Sequence, residues 1–338
     1  MKKRRFITLA IETSCDETAA AVLEDGRNAL SNVVFSQIEE HKVFGGVVPE
    51  IASRLHLDRI NSVIDQALSE AGADLNDVDL IGVTQGPGLV GALLVGLAAA
   101  KGIAWAAEKP IVGVQHIQGH ISANYIEHKD LAPPFLALVV SGGHTSIVDV
   151  KGYNEFEILG STRDDAAGEA FDKVARVLGL GYPGGPKIEA AAKAGDPKAV
   201  MFKRVFLEKN SLDFSFSGVK TSVINYFNAE KRSGKTVDVA DVAASFQQSV
   251  MDVIVAKTML AVKRTGYGKV AAAGGVAANG LLRGMLARAC DERGIRLCFP
   301  PLALCTDNAA MIGAAAYYKY REKGPDDLTL DAFPNLVL

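Results

Sequence analysis

One pattern occurs twice in this chain. Phe6 to Glu12 is an apolar run, Thr13-Ser14-Cys15-Asp16-Glu17-Thr18 is a polar turn, and Ala19 to Leu23 is apolar again. Phe135 to Val140, the glycine turn Ser141-Gly142-Gly143-His144-Thr145 and Ile147 to Val150 repeat that grammar, at a period of about 129 residues. Short apolar runs bounded by polar turns predict strands paired as hairpins. Behind each hairpin comes a helical pattern, Pro49 to Ala71 in the first half and Ala166 to Leu178 in the second. The duplication predicts an α/β protein of two related lobes, 1–128 and 129–338, facing a cleft. Further helices are expected from Val239 to Thr265 and Asn279 to Arg293, flanking a short strand Lys269 to Ala273, after an irregular excursion from Asp196 to Lys220. A last alanine-rich helix, about 308–322, has the small residues to pack back on the first lobe.

At 338 residues the chain exceeds the usual single core, which agrees with two lobes. Thirty-six Lys and Arg face thirty-nine Asp and Glu, a net charge of -3, which excludes an autonomous nucleic-acid binder of the basic kind. Any RNA contact must come from a local patch or a partner. Cys15, Cys290, Cys298 and Cys305 form no Cys-x-x-Cys pair and no disulfide framework, so a reducing cytoplasm is expected. The basic start, Met-Lys-Lys-Arg-Arg-Phe, leads into an apolar run too short for a signal peptide. Leu80 to Ala100 carries no charge, yet Thr84-Gln85-Gly86-Pro87-Gly88 breaks it into a strand, a turn and a buried helix starting near Leu89. No membrane partner is expected.

His116 and His120, in Val114-Gln115-His116-Ile117-Gln118-Gly119-His120, would stand one turn apart on one face of a helix. Two imidazoles so placed can grip one divalent ion, although hydrogen bonding at a helix start would use the same residues. The metalloprotease pattern puts a glutamate after the first histidine; here that residue is Ile117, followed by Gln118. Cys305-Thr306-Asp307-Asn308 precedes the last helix, so Asp307 is either its N-cap or a third, oxygen ligand. The glycines of Ser141 to Thr145 allow backbone N–H groups to turn toward a phosphate, and the turn Thr13 to Thr18 adds hydroxyls and two carboxylates. Gly274-Gly275-Val276-Ala277-Ala278-Asn279 opens a helix with Asn279 as a cap that can also reach a ligand, but it lacks the dinucleotide spacing. Asp165, Glu169 and Asp172 stand at helical spacing, where three acids on one face would need a ribose, a metal or Lys173 against them, unless the face is simply solvated.

Ile11 to Thr18, Gly45-Gly46-Val47-Val48-Pro49-Glu50, Gly86 to Leu89, the histidine pair, Ser141 to Thr145, Ala167 to Lys173, Asp213 to Thr221, Gly274 to Asn279 and Cys305 to Asn308 together resemble one family. It is the tRNA N6-adenosine threonylcarbamoyltransferase family, TsaD in bacteria. The motifs run in family order over nearly the whole chain. The resemblance implies an actin-like, sugar-kinase-like ATPase (ASKHA) fold. It implies a divalent metal, Fe2+ before Zn2+ or Mg2+, held by His116, His120 and Asp307. It also implies that Val139, Val140, Ser141, Gly142 and Gly143 meet the phosphate of threonylcarbamoyl-adenylate, with Asp172, Gly185, Glu189 and Asn279 around its nucleoside and acyl parts. Gln118 and Ala277 depart from the family pattern at positions that are not proposed ligands.

The implied reaction is attack by the N6 amine of the adenosine beside the anticodon on the carbamoyl carbonyl, with AMP leaving. Asp16 or Glu17 would take the amine proton. Implied partners are tRNA, a paralogous TsaB-like subunit, a small TsaE-like ATPase and a synthase that makes the adenylate. A metalloprotease, a small-molecule kinase of the same fold and a scaffold that only binds ATP are the competing readings. The missing glutamate disfavours the first, and the paired histidines disfavour the other two.

Overall fold

The computed structural model describes residues 5–208 and 210–338. In the first half, strand β1 (Ile7–Glu12) turns into β2 (Glu17–Glu24), which pairs with it antiparallel, and β3 (Asn28–Ser36) follows at the sheet edge. After helices α1 (Ile38–Lys42) and α2 (Pro49–Ala71), β4 (Leu80–Gly86) adds to the other side of β1 in parallel. Helix α3 (Val90–Ala106) then leads to β5 (Ile111–Gln115), parallel to β4, and α4 (His116–Glu127) closes the run. The sheet order is β3-β2-β1-β4-β5. The uncharged stretch after Leu80 is thus a strand, a turn and a helix.

The second half repeats this plan. Strand β6 (Phe135–Val140) pairs antiparallel with β7 (Thr145–Gly152), and β8 (Glu155–Ser161) lies beyond it. Helices α5 (Ala167–Val177), α6 (Gly184–Ala192), α7 (Ser217–Arg232) and α8 (Val239–Thr265) come next. Strand β9 (Lys269–Ala273) then joins β6 in parallel, and after α9 (Gly280–Asp291) the strand β10 (Arg296–Cys298) joins β9. The order β8-β7-β6-β9-β10 is the first sheet's order with its strands replaced one for one. The chain ends with α10 (Ala309–Lys323) and an irregular tail.

Two compact units result. One comprises the chain to Pro133, Lys151–Phe156 and Pro300–Leu338; the other comprises Pro134–Val150 and Glu157–Phe299. Past residue 133 the chain leaves the first unit, rejoins it briefly at Lys151–Phe156, and returns to it at 300, bringing α10 with it. Strand alternation in β1 sends Leu9 and Ile11 to one face, in a cluster with Ile60, Val63 and Ile64 of α2 and Leu97 of α3. Ala10 faces the other way, with Met311, Ile312 and Ala314 of α10. A side chain at Gly313 would meet Leu23 Cδ1 at 2.6 Å and Ala10 Cβ at 3.2 Å, so only a bare Cα lets α10 lie this close to the sheet.

In the second unit Leu136, Leu138, Val140 and Ile147 form one core with Phe171, Phe214, Phe216 and Phe246, and the Phe171 and Phe246 rings lie 5.0 Å apart. Helix α8 is, among the described residues, the one helix long and apolar enough to cross a membrane. Its Phe246, Val250, Met251 and Ile254 are buried in that core, which accounts for its apolarity. Local chemistry sets its ends: Asp238 accepts from the amides of Ala240 and Asp241, and Gly266 stops it in the left-handed region at φ 71°. Helix α2 is bounded likewise by Pro49 at its first turn and Gly72 at φ 61°.

Of the acids Asp165, Glu169 and Asp172 only the last two stand on α5, which begins at Ala167. Asp165 accepts from Lys173 Nζ at 2.7 Å and from Lys220 Nζ, Glu169 pairs with Lys173 at 2.6 Å, and Asp172 accepts from the Gly184 amide at 2.7 Å. Lys173, one of the groups expected to compensate these acids, thus joins Asp165 and Glu169, while the expectation that all three converge is corrected at Asp172, which turns to the Gly184 amide. Burial pushes the Asp165 carboxyl up, but the two ammonium groups outweigh it and hold it below the ordinary value of 3.8. The unfolded chain therefore takes up this proton first, so the stabilisation is present above about pH 3.8 and lost as pH falls below it. Asp165→Asn is expected to lower the unfolding free energy by about 2 kcal/mol at pH 7. In urea titrations that gap should close toward pH 3.

Candidate metal centre and anion cradle

Helix α4 starts at His116 itself, where Gln115 caps it by accepting from the Gln118 amide at 2.9 Å. His116 and His120 therefore stand one turn apart, with ring centroids 4.7 Å apart and ring planes nearly perpendicular. Asn308, not Asp307, caps α10: its Oδ1 accepts from the Met311 amide at 3.0 Å. That leaves the Asp307 carboxylate directed at the histidines, 3.4 Å from His116 Nε2 and 3.1 Å from His120 Nε2. One ligand atom from each of the three residues lies within 4.8 Å of the others.

The donors fit a cation better than they fit one another. His120 is 1% exposed, yet neither ring nitrogen has a hydrogen-bond partner among the described residues. Its Nε2 lies near Asp307 without hydrogen-bond geometry, which is how two ligands aimed at a common point are disposed. Bonds of about 2.1 Å to one ion would place neighbouring donor atoms roughly 3.0–3.4 Å apart, the spacing of Asp307 from each histidine here. Two imidazoles and one carboxylate suit a divalent transition metal with open positions.

Glu12, missed by sequence reasoning, completes the centre. It ends β1 on the face shared with Ala10, fully buried, and Oε2 lies 3.0 Å from His116 Nδ1 and accepts from Thr84 Oγ1 at 2.6 Å. Its Oε1 accepts from the Ser14 amide, and the Ser14 hydroxyl lies 3.1 Å from the same Nδ1. A carboxylate at Nδ1 fixes the proton there and turns the Nε2 lone pair toward Asp307 and His120. Burial raises Glu12, but the His116 charge brings it below its usual value; burial lowers His116, but Asp307 and Glu12 bring it well above. A single acid at the end of an otherwise uncharged strand is the signal that marks Glu12. Gln118, by contrast, donates to the Tyr153 carbonyl and to Asn154 Oδ1, at 3.2 and 2.9 Å.

Asp16 is buried in the β1–β2 turn, and Glu17, the first residue of β2, is half-buried. Burial pushes the Glu17 carboxyl well above the ordinary range, and the negative charges of Asp16 and Asp307 add to it. The remaining sequence-predicted residues belong to the second unit. Val139 and Val140 are fully buried at the end of β6, where they carry the chain into the Ser141 turn. The Ser141 amide donates to the His144 carbonyl at 2.8 Å, and the exposed Gly142 and Gly143 amides have no partner among the described residues. The N-terminus of α5 lies behind this turn, its Gly168 and Glu169 amides donating to the carbonyls of Ser141 and Gly142.

From there the residues run in a ring. Asp172 holds Gly184, a side chain added at Gly185 would meet nothing within 4 Å, and Glu189 accepts from the Gly280 amide at 2.9 Å. Asn279 accepts from the Leu282 amide at 3.1 Å as the cap of α9 and donates to Gln247 Oε1 at 2.9 Å. Gly274, at φ 91°, closes the ring against Val140 and Ser141, where a side chain would come within 2.4 Å of the Val140 carbonyl oxygen.

Solved structures of similar fold include full-length HypF, with a TM-score of 0.64 at 13% identity over 96% of this chain and 48% of that one. Another is component A of the (R)-2-hydroxyglutaryl-CoA dehydratase of Acidaminococcus fermentans, with 0.55 at 16% identity over 94% and 98%. The duplicated α/β fold is accordingly that of the actin-like and sugar-kinase-like (ASKHA) ATPases. The model of the TsaD family, tRNA N6-adenosine threonylcarbamoyltransferase, matches residues 28–314. Relatives under that name are 60% identical in Clostridium beijerinckii, over 98% of both chains, and 56% identical in Clostridioides difficile, also over 98% of both. The chain belongs to the TsaD family of tRNA N6-adenosine threonylcarbamoyltransferases. It is a transferase of tRNA modification.

The histidine centre can be tested without turnover. In a Co2+ titration followed by visible absorption, Glu12→Gln is expected to weaken metal affinity by about 10- to 100-fold while leaving binding detectable. His120→Ala should abolish the spectrum, and equal affinity in Glu12→Gln would remove that residue from the centre.

Proposed function

We propose that this chain transfers the threonylcarbamoyl group from threonylcarbamoyl-adenylate to N6 of the adenosine beside the anticodon, in tRNAs reading codons that begin with A. The convergence of His116, His120 and Asp307 on one point, with His120 otherwise unpartnered, is the observation that carries this reading. The bond from N6 to the carbamoyl carbon forms, the bond from that carbon to the phosphate oxygen breaks, and AMP leaves with the electron pair. An adenine amine is a weak nucleophile, so positioning and charge stabilisation must supply most of the rate.

The free amides of Gly142 and Gly143 receive the phosphate, with the α5 N-terminus adding its dipole. Asp172, Gly185, Glu189 and Asn279 surround the nucleoside and acyl parts. Asp16 or Glu17 takes the amine proton; a carboxyl raised as Glu17 is stands nearer the pH at which a general base works best. His116, His120 and Asp307 would hold the divalent ion, Fe2+ before Zn2+ or Mg2+, and Glu12 would keep His116 in the ligating tautomer. When bound, that ion supplies Lewis-acid polarisation of the acyl or phosphate oxygens.

A chain of net charge -3 is poorly suited to grip tRNA alone, so a TsaB-like subunit and a TsaE-like ATPase are expected beside it, in the cytoplasm. The test is incorporation of labelled threonine into unmodified tRNA, with ATP, bicarbonate and partner extract. Wild type should incorporate it and His116→Ala should lose at least about 100-fold. If wild type fails where a relative succeeds in the same extract, this reading is wrong.

A further inference from the structure

The Gly45 to Glu50 motif takes no part in the chemistry above, yet it anchors one end of a buried polar chain. The Val48 amide lies 3.3 Å from His41 Nδ1. An amide only donates, so this nitrogen carries the lone pair and His41 Nε2 carries the proton. That proton goes to Gln37 Oε1 at 3.1 Å, which turns Gln37 Nε2 toward the Ala52 carbonyl at 3.4 Å and His56 Nδ1 at 3.5 Å.

The other end is fixed with the same certainty. The Cys15 carbonyl only accepts, so His56 Nε2 donates to it at 2.9 Å, and His56 Nδ1 accepts from the Thr18 hydroxyl at 2.7 Å. The Gln37 main-chain amide donates to the Asp16 carbonyl at 3.0 Å. His41, His56, Gln37 and Thr18 are all at 0% exposure. Two backbone groups thus dictate both tautomers, and the carbonyls of Cys15 and Asp16 are held from behind.

We propose that His56, backed by Gln37 and His41, is a positioning residue for the Asp16–Glu17 turn: in its Nε2–H tautomer it sets the Cys15 carbonyl, and so the direction in which both carboxylates project. The proposal rests on the proton-accepting role given above to those carboxylates. Burial lowers the His56 pKa, which favours the neutral ring this geometry requires. His56 touches no ligand of the histidine centre, so its loss should leave metal binding intact. It is not a catalytic residue.

The test compares His56→Phe and His56→Gln in the complete tRNA-modifying system, with Co2+ affinity measured on the same samples. His56→Phe is expected to lower kcat about 10- to 100-fold at nearly constant KM and constant Co2+ affinity. His56→Gln, which keeps a donor for Cys15 and an acceptor for Thr18, should recover to within about 3-fold of wild type. Asp16→Asn and Glu17→Gln run alongside separate the two ideas. Full activity in both removes the proton-accepting role and this proposal with it; their loss beside a fully active His56→Phe overturns positioning alone. Failure of His56→Gln to rescue also overturns it. If His56→Phe does not fold, 15N shifts of the wild-type imidazoles decide: Nε2–H at both rings supports the proposal, and Nδ1–H at either overturns it.

Discussion

The close approach of α10 to its neighbours is the contact on which the metal centre depends. Gly313 lets the helix settle on β1 and β2, and Gly119, between the two histidines, lets it settle on α4: a side chain there would meet Ile312 Cδ1 at 2.7 Å. With both helices pressed together, the residue before the α10 cap has to emerge beside His116 and His120. Asp307 is that residue. Any bulk at either glycine would have to move α10 outward, and the third ligand with it.

Around this contact the centre is organised by charge. Glu12 and Asp307 flank one imidazole from its two nitrogens, in a pocket from which water is almost excluded. Two carboxylates so enclosed need positive charge between them. His116 supplies some of it by holding its proton more tightly than a free imidazole, and His120 finds no hydrogen-bond partner among the described residues. A divalent ion would satisfy all four side chains at once, which is the physical content of the donor set.

Duplication gave the two units the same strand order and left their turns to diverge. The β1–β2 turn leads into Asp16 and Glu17 and is tied down by the buried His56, whereas the β6–β7 turn carries two glycines whose amides have no partner among the described residues. The first can handle protons near a cation. The second can take an anion. One scaffold thus offers opposite electrostatics at equivalent positions.

Much of this was legible in the chain. Pro49 with Gly72 and Asp238 with Gly266 announce the ends of α2 and α8, and both hairpins follow from apolar runs interrupted by polar turns. The edge strand Asn28–Ser36 was not, because an edge half open to solvent need not alternate. The acids from Asp165 to Asp172 suggested a shared face, but Asp165 precedes the helix and joins Glu169 only through Lys173, while Asp172 holds the Gly184 amide. Sequence by itself determined element type, the paired hairpins, the family and the histidine spacing, since these rest on interactions among near neighbours in the chain. Only the tertiary structure decided that Asn308 and not Asp307 caps α10, that Glu12 stands behind His116, and that Cys15 is held by His56. Those contacts join residues far apart in the chain, and no local rule sets the distance between them.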